Sequence, residues 1–381
     1  MRKGEVNHMH NIESILDQFK KIAANPKKAV ADYQTETGKG AIGMMPIYAP
    51  EEMVHATGYL PVGLWGGNQP ISKARTYLPP FACSIMQQVM ELECQGAYDE
   101  LAAIVFSVPC DTLKCMSQKW KGTSPTLVFT HPQNRGLESA NRFLVQEYTI
   151  LQAKLEEITG TKITNAALEN SIRIYNENRA ALREFSQVAA DYPQIINAVS
   201  RHAVFKSRQF MEKSKHTALV RQLIDQVKSQ PAQPWDGKKV VVTGILLEPN
   251  GLLEIFDELK LAIVADDLAQ ESRQVRVDVP EGNEAPLYRM ARAWQNMYGC
   301  SVATDMKKIR GKMIMDMARK SEADAVIIAM MKFCDPEEWD YPIYYKEFEE
   351  HGVRNLMIEV DQEVTAFEQA RTRFQSLVET L

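Results

Sequence analysis

Hydrophobic positions along this chain fall into two patterns, and their alternation predicts an α/β protein. Short, unbroken apolar runs bounded by glycine, proline or polar residues suit strands buried on both faces of a parallel sheet. Such runs occupy 60–64, 102–107, 126–130, 239–243, 261–265, 323–331 and 355–360. Between them lie segments with helical spacing. In 11–24 the residues Ile12, Ile15, Leu16, Phe19 and Ile22 form one stripe, Asn11 is placed to cap it, and Pro26 lies just beyond its end. Pro50 suits a first helical position, with Glu51 and Glu52 in the first turn, where the helix dipole favours acids, and Gly58 ends that helix. Helices are also expected over 84–92, 251–259 and 366–381.

From 137 to about 230 the pattern is almost wholly helical, with Leu168, Ile172 and Tyr175 on one face behind a Thr164 cap. The stretch PAQPWDGKK, 231–239, suits a linker. The expected organisation is therefore an N-terminal α/β domain with a leading helix (1–136), a helical segment (137–230) and a C-terminal α/β domain (231–381), with two Rossmann-like parallel sheets.

Composition narrows the partners. The chain has 381 residues, 45% hydrophobic and 24% charged, with a net charge of −5. No basic face is implied, which argues against nucleic acid. No apolar run approaches the roughly 20 residues of a membrane span. The opening MRKGEVNHMH is polar and lacks the apolar core of a signal peptide, so a cytoplasmic location is expected.

Candidate chemistry begins with cysteines. There are six, at 83, 94, 110, 115, 300 and 334. In a cytoplasmic chain of this length they are not a disulfide framework, and none has the C-x-x-C spacing of a zinc ribbon or ferredoxin. Cys110 and Cys334 each follow the carboxyl end of a buried strand by three residues, one in each α/β domain. Cys83 stands just before a helix, where a thiol pKa is lowered. Ligands of an open parallel sheet gather outside the carboxyl ends of its strands. These three thiols are thus either ordinary buried side chains or ligands converging where the domains face each other. Three thiolates would leave one iron of a cubane cluster open. Cys94, Cys115 and Cys300 lie in or beside helical patterns and suit packing.

Other sites find little support. The turn after the first strand of the C-terminal domain, GILLEP, has one glycine where a dinucleotide fingerprint needs three, although Asp266 and Asp267 stand where a ribose-binding acid would. There is no Walker A pattern and no G-x-S-x-G. His55, His131, His202, His216 and His351 are scattered and suit surface or capping positions. Glu51/Glu52 and Glu337/Glu338 suit first-turn acids after a proline. The polar stretch 266–280, with Arg273 and Arg276, suits either a solvated helix or a loop facing a site.

The segments IGMMPIYAPEEMVHATGYLPVGLWGG (42–67), FACSIMQQ (81–88), VPCDTLK (108–114), HPQNR (131–135), ADDLAQESR (265–273), MMKFCDPEE (330–338) and DQE (361–363) resemble the D-component, or 2-hydroxyacyl-CoA dehydratase, family. The likeness is to the beta subunits of its heterodimers and runs over nearly the whole chain after the first ten residues. It implies that Cys83, Cys110 and Cys334 ligate a 4Fe-4S cluster. It also implies a homologous alpha subunit with its own cluster, where the acyl-CoA thioester binds, and a separate ATP-hydrolysing iron–sulfur activator. Some members carry a flavin (FMN or riboflavin), and no flavin motif is visible in this chain. The segments ISKARTYLP, SQKWKGTSP, QPWDGKKVVVTGILLEPN and RHAVFK are similar to members that dehydrate (R)-lactoyl-CoA to acryloyl-CoA, with other 2-hydroxyacyl groups as the alternative. Met44 departs from relatives that carry cysteine there.

The chemistry explains why such an enzyme needs iron and sulfur. In a 2-hydroxyacyl thioester the leaving hydroxyl is on the α carbon and the proton to be lost is on the β carbon, which the carbonyl does not acidify. Acid–base catalysis alone faces a very high barrier. One electron added to the thioester carbonyl allows the neighbouring hydroxide to leave and makes the β proton removable. A low-potential cluster with an open iron can donate that electron and polarise the carbonyl.

Overall fold

Two parallel sheets with the same strand order carry the chain. The computed structural model describes residues 3–381, with side chains from His10 onward. Part of the polar opening stretch, and the expectation placed on it, therefore lies outside the described residues. The first sheet contains β1 (Ala41–Met44), β2 (Leu60–Gly63), β3 (Ile104–Ser107) and β4 (Thr126–Phe129), in the order β2-β1-β3-β4. The second contains β5 (Lys238–Gly244), β6 (Leu261–Leu268), β7 (Ala325–Met331) and β8 (Asn355–Val360), in the order β6-β5-β7-β8. Every ladder is parallel. In each sheet the order reverses between the first and third strands of the set, β1/β3 and β5/β7. That is the switch point where such sheets leave a crevice.

Strand position explains the burial. All seven residues of β7 are buried, as a central strand covered on both faces requires. The edge strand β4 alternates instead, with Thr126 and Val128 exposed and Leu127 and Phe129 buried.

Parallel strands need crossovers, and helices supply them. In the first half these are α3 (Glu51–His55), α4 (Ser84–Cys94) and α5 (Asp111–Lys119), preceded by α1 (Lys3–Ala24) and α2 (Pro26–Thr37). The helix α1 begins before Asn11, so Asn11 is not its cap. Its stripe of Ile12, Ile15, Leu16 and Phe19 is buried as expected. Pro26 does not merely follow α1. The Asn25 side chain accepts from the Lys28 amide at 3.2 Å, so Pro26 becomes the first residue of α2.

The middle of the chain forms α6 (Glu138–Thr159), α7 (Asn165–Asp191), α8 (Ala198–Ser207) and α9 (Lys213–Lys228). Thr164 caps α7, accepting from the Ala167 amide at 3.2 Å, and Leu168, Ile172 and Tyr175 are all buried. The second half adds α10 (Asn250–Glu258), α11 (Pro286–Asn296), α12 (Arg310–Lys320), α13 (Asp335–Glu350) and α14 (Glu368–Thr380). The largest apolar cluster runs through both sheets, joining Val62, Ile104 and Phe106 to Val240, Val242 and Ile327. Each such side chain contributes about 1.5–3 kcal/mol on burial. No helix among the described residues is long and apolar enough to cross a membrane.

Candidate functional site

Three cysteines sit at the N-caps of three helices. Cys83 caps α4, Cys110 caps α5 and Cys334 caps α13. Cys110 follows β3 and Cys334 follows β7, the matching strands of two sheets with the same order. The corner at Cys334 is tightly built. Phe333 adopts φ +60°, a left-handed conformation that costs a non-glycine residue about 1–3 kcal/mol. Its amide donates to Glu338 Oε1 at 3.0 Å, and the Cys334 amide donates to the Met331 carbonyl at 3.1 Å. The Cys334 carbonyl then accepts from the amides of Glu337 and Glu338 at 2.9 and 3.0 Å, opening α13.

All three thiols are free and lie against the apolar cluster that joins the sheets. Burial pushes Cys83 up to about 12, opposed by the Met86 and Ile85 amides and reinforced by Cys110. Burial also raises Cys110, against the Leu113 and Thr112 amides. Cys334 is raised well above the ordinary thiol value by burial and then by Cys83, Glu337 and Cys110. Cys334 thus feels both other thiols, and Cys83 feels Cys110. The lowered pKa expected for Cys83 from its helix terminus is overturned, because desolvation outweighs the amides.

Such a group suits a positively charged polynuclear centre. Three half-buried thiols that repel one another as thiolates lose that penalty when each binds iron. A single ion does not fit: among the described residues no three His, Cys, Asp or Glu side chains close around one metal position. A cluster takes each thiolate at a separate iron and needs no common point.

A buried charge network backs the Cys334 corner. Glu337 accepts from Arg273 Nη1 at 3.2 Å, Arg310 Nη2 at 2.8 Å and Ser301 Oγ at 2.5 Å. Arg273 also binds Asp267 and approaches Cys300 Sγ at 3.6 Å, and the Tyr48 hydroxyl donates to the same sulfur at 3.0 Å. Glu337 is thus more than a first-turn acid, and Arg273, completely buried, lies on neither a solvated helix nor a loop. Asp267 is held well below the carboxylate range by Arg273, Arg276 and Arg310, against burial. Asp266 pairs with Arg201. Neither acid is free for a ribose. Glu51 pairs with Arg208 and Lys213, and Glu52 with Arg179, so these acids too are buried ion-pair members.

Histidines also depart from expectation. His131, His202 and His216 are buried rather than on the surface. His131 packs on Trp294 with ring centroids 4.0 Å apart, and burial pushes it down to about 3. His202 lies between Glu248 and Glu271, at 3.0 and 2.8 Å. Cys300 is a packed residue as expected, whereas Cys115 is exposed. None of these burials had a local signal, since their partners are distant in sequence.

The model of the 2-hydroxyglutaryl-CoA dehydratase D-component family matches residues 46–381. The chain belongs to this family. It is 71% identical to the lactoyl-CoA dehydratase subunit beta of Anaerotignum propionicum, over 98% of this chain and all of that one. It is 45% identical to the (R)-phenyllactyl-CoA dehydratase beta subunit of Clostridium sporogenes, over 98% of this chain and all of that relative. It is 37% identical to the (R)-2-hydroxyglutaryl-CoA dehydratase subunit beta of Acidaminococcus fermentans, over 97% of this chain and all of that relative. Within this family the two-sheet frame and the three N-cap cysteines gain a chemical context.

Proposed function

We propose that this chain is the beta subunit of a 2-hydroxyacyl-CoA dehydratase, a hydro-lyase acting on (R)-lactoyl-CoA to give acryloyl-CoA and water. The 71% identity to a lactoyl-CoA dehydratase subunit beta, covering both chains almost completely, supports this reading. It works beside a homologous alpha subunit that binds the acyl-CoA and an ATP-dependent iron–sulfur activator that delivers one electron.

Cys83, Cys110 and Cys334 would hold a 4Fe-4S cluster in this chain. The observation that carries the assignment is the placement of three half-buried thiols at the N-caps of three helices, all packed against the one apolar cluster that joins the sheets. When bound, such a group supplies a low-potential site that stores or passes one electron. The protein's part is to present three sulfurs from three helix N-caps, those of Cys110 and Cys334 at strand-to-helix corners, and to exclude water with the apolar cluster beside them. The Arg273–Glu337–Arg310 network keeps the first turn of α13 in place behind Cys334.

The related beta subunits named for phenyllactyl-CoA and 2-hydroxyglutaryl-CoA dehydratases supply the alternative acyl groups. An anaerobic panel of the three thioesters, using the reconstituted heterodimer and activator, separates them. Lactoyl-CoA is expected to turn over at least tenfold faster than either. A faster reaction with another thioester overturns the assigned specificity, and no dehydration of any overturns the dehydratase reading.

A further inference from the structure

Cys110 and Cys334 are fixed by the strands they follow, but Cys83 is not. It ends the connection 64–83 between β2 and α4, whose regular structure is a single 3-10 turn at Ala74–Thr76. Side chains of α4 hold parts of this connection. Glu91 Oε2 accepts from the Ser72 and Ala74 amides at 3.0 and 2.8 Å, and Gln88 Oε1 accepts from the Gln69 amide at 3.0 Å. These bonds tie the loop to its own helix and do not set where the two sit against the other sheet.

The turn DQE, 361–363, makes that tie. It leaves the end of β8, the strand beside β7. Gln362 is 1% exposed, and its Nε2 donates to the Trp65 carbonyl at 2.9 Å and to Glu248 Oε2 at 3.0 Å. Both partners are acceptors, so the site requires an amide nitrogen. The Gln362 backbone amide donates to Ser84 Oγ at 3.4 Å, and Ser84 Oγ donates to Met331 Sδ at 3.9 Å. Ser84 adjoins Cys83, and the Met331 carbonyl holds the Cys334 amide. Glu363 Oε1 accepts from the Ile71 amide at 3.2 Å and from Arg75 Nη2 at 3.4 Å. Asp361 Oδ1 keeps the turn in shape by accepting from the Glu363 amide at 3.0 Å. Gly66 makes room for it. Its φ is +82°, and a β-carbon there would stand 2.8 Å from Gln362 Oε1. One turn thus grips the connection at both ends and in the middle.

We propose that Gln362 and Glu363 are positioning residues that set Cys83 against the Cys334 corner. The inference rests on the reading of these thiols as cluster ligands. A ligand carried on a long connection keeps its geometry when that connection is tied to the frame bearing the other ligands. The turn after β8 supplies the tie across the two sheets, acting through Ser84 and the connection itself.

The test uses the anaerobically purified heterodimer as wild type, Gln362→Met, Glu363→Ala and Thr164→Ala. Hydrogen exchange read by mass spectrometry follows 64–83 whether or not iron is present. Gln362→Met keeps the side-chain length and removes both side-chain donations. Exchange over 64–83 should rise about tenfold, with 104–107 and 325–331 unchanged. Glu363→Ala, at a half-buried position, should raise exchange in the same segment about threefold. Iron release to a chelator should quicken by similar factors in these two variants. The electron paramagnetic resonance line shape of the reduced protein should change in Gln362→Met. Thr164→Ala, which loosens the start of α7, should leave all of these readings at wild type. Unchanged exchange over 64–83 in Gln362→Met overturns the proposal, as does raised exchange with iron release and line shape unaltered. Wild-type protein without iron overturns the cluster reading, and the positioning role with it.

Discussion

Cys110 and Cys334 occupy equivalent places in two sheets of identical strand order: each caps the helix that leaves the third strand of its set. The equivalence makes their convergence a property of the fold. Two open parallel sheets, facing each other through one apolar cluster, bring matching strand ends together. Cys83 joins from the start of α4, the crossover between β2 and β3.

Asp267 is the shared anion of three buried arginines. It accepts from Arg273 Nη2 at 3.1 Å and Arg310 Nε at 2.9 Å, and also from Arg276. Removing one partner from such a network leaves uncompensated buried charge, at a cost of about 3–5 kcal/mol. Asp267→Asn should therefore lower the urea midpoint of unfolding by the equivalent amount. A change below about 1 kcal/mol would show that the arginines find other partners.

Glu93 gives a pH dependence in an accessible range. Burial, and then the nearby Asp99, raise its carboxyl from 4.5 to about 6. The folded form thus binds the proton more tightly than the unfolded chain. Stability from this group is complete below pH 4.5 and is lost as pH rises through about 6. Glu93→Gln should be more stable than wild type at pH 7.5 by about 1–2 kcal/mol. Melting temperatures recorded from pH 4.5 to 7.5 should converge at the acid end, and parallel curves would contradict the assignment.

Thr164 tests the start of the longest helix. Its hydroxyl is the acceptor for the Ala167 amide. Thr164→Ala should destabilise the chain by about 1 kcal/mol, and Thr164→Asn should restore most of it. Urea unfolding of the three proteins is the measurement, and equal midpoints would show that the cap adds nothing.

Sequence pattern carried seven of the eight strands and the thiol positions, because both depend on local order; the short, glycine-containing β1 was not among the expected strands. The run 355–360 is β8 itself, and the apolar stretch ending before Cys334 is β7. Thr164 was legible for the same reason, since a cap and its amide are three residues apart. Pairing across the chain was not legible. Glu52 and Arg179 are 127 positions apart, so Glu52 looked like a helix-dipole acid. Glu337, Arg273 and Asp267 meet only once β6, β7 and α13 are packed. Asn25 hid a second helix because Pro26 signals both an end and a beginning. The three cysteines could be placed at element ends, but their mutual approach required both sheets.

The central claim is that these three thiols hold one cluster in this chain. Iron and acid-labile sulfide in anaerobically purified protein test it most directly, comparing wild type with Cys334→Ala and with Cys115→Ala, whose thiol is exposed. About four irons and four sulfides per chain are expected in wild type and in Cys115→Ala, falling to less than half in Cys334→Ala. Iron absent from the wild-type chain, or retained in full by Cys334→Ala, would contradict the account.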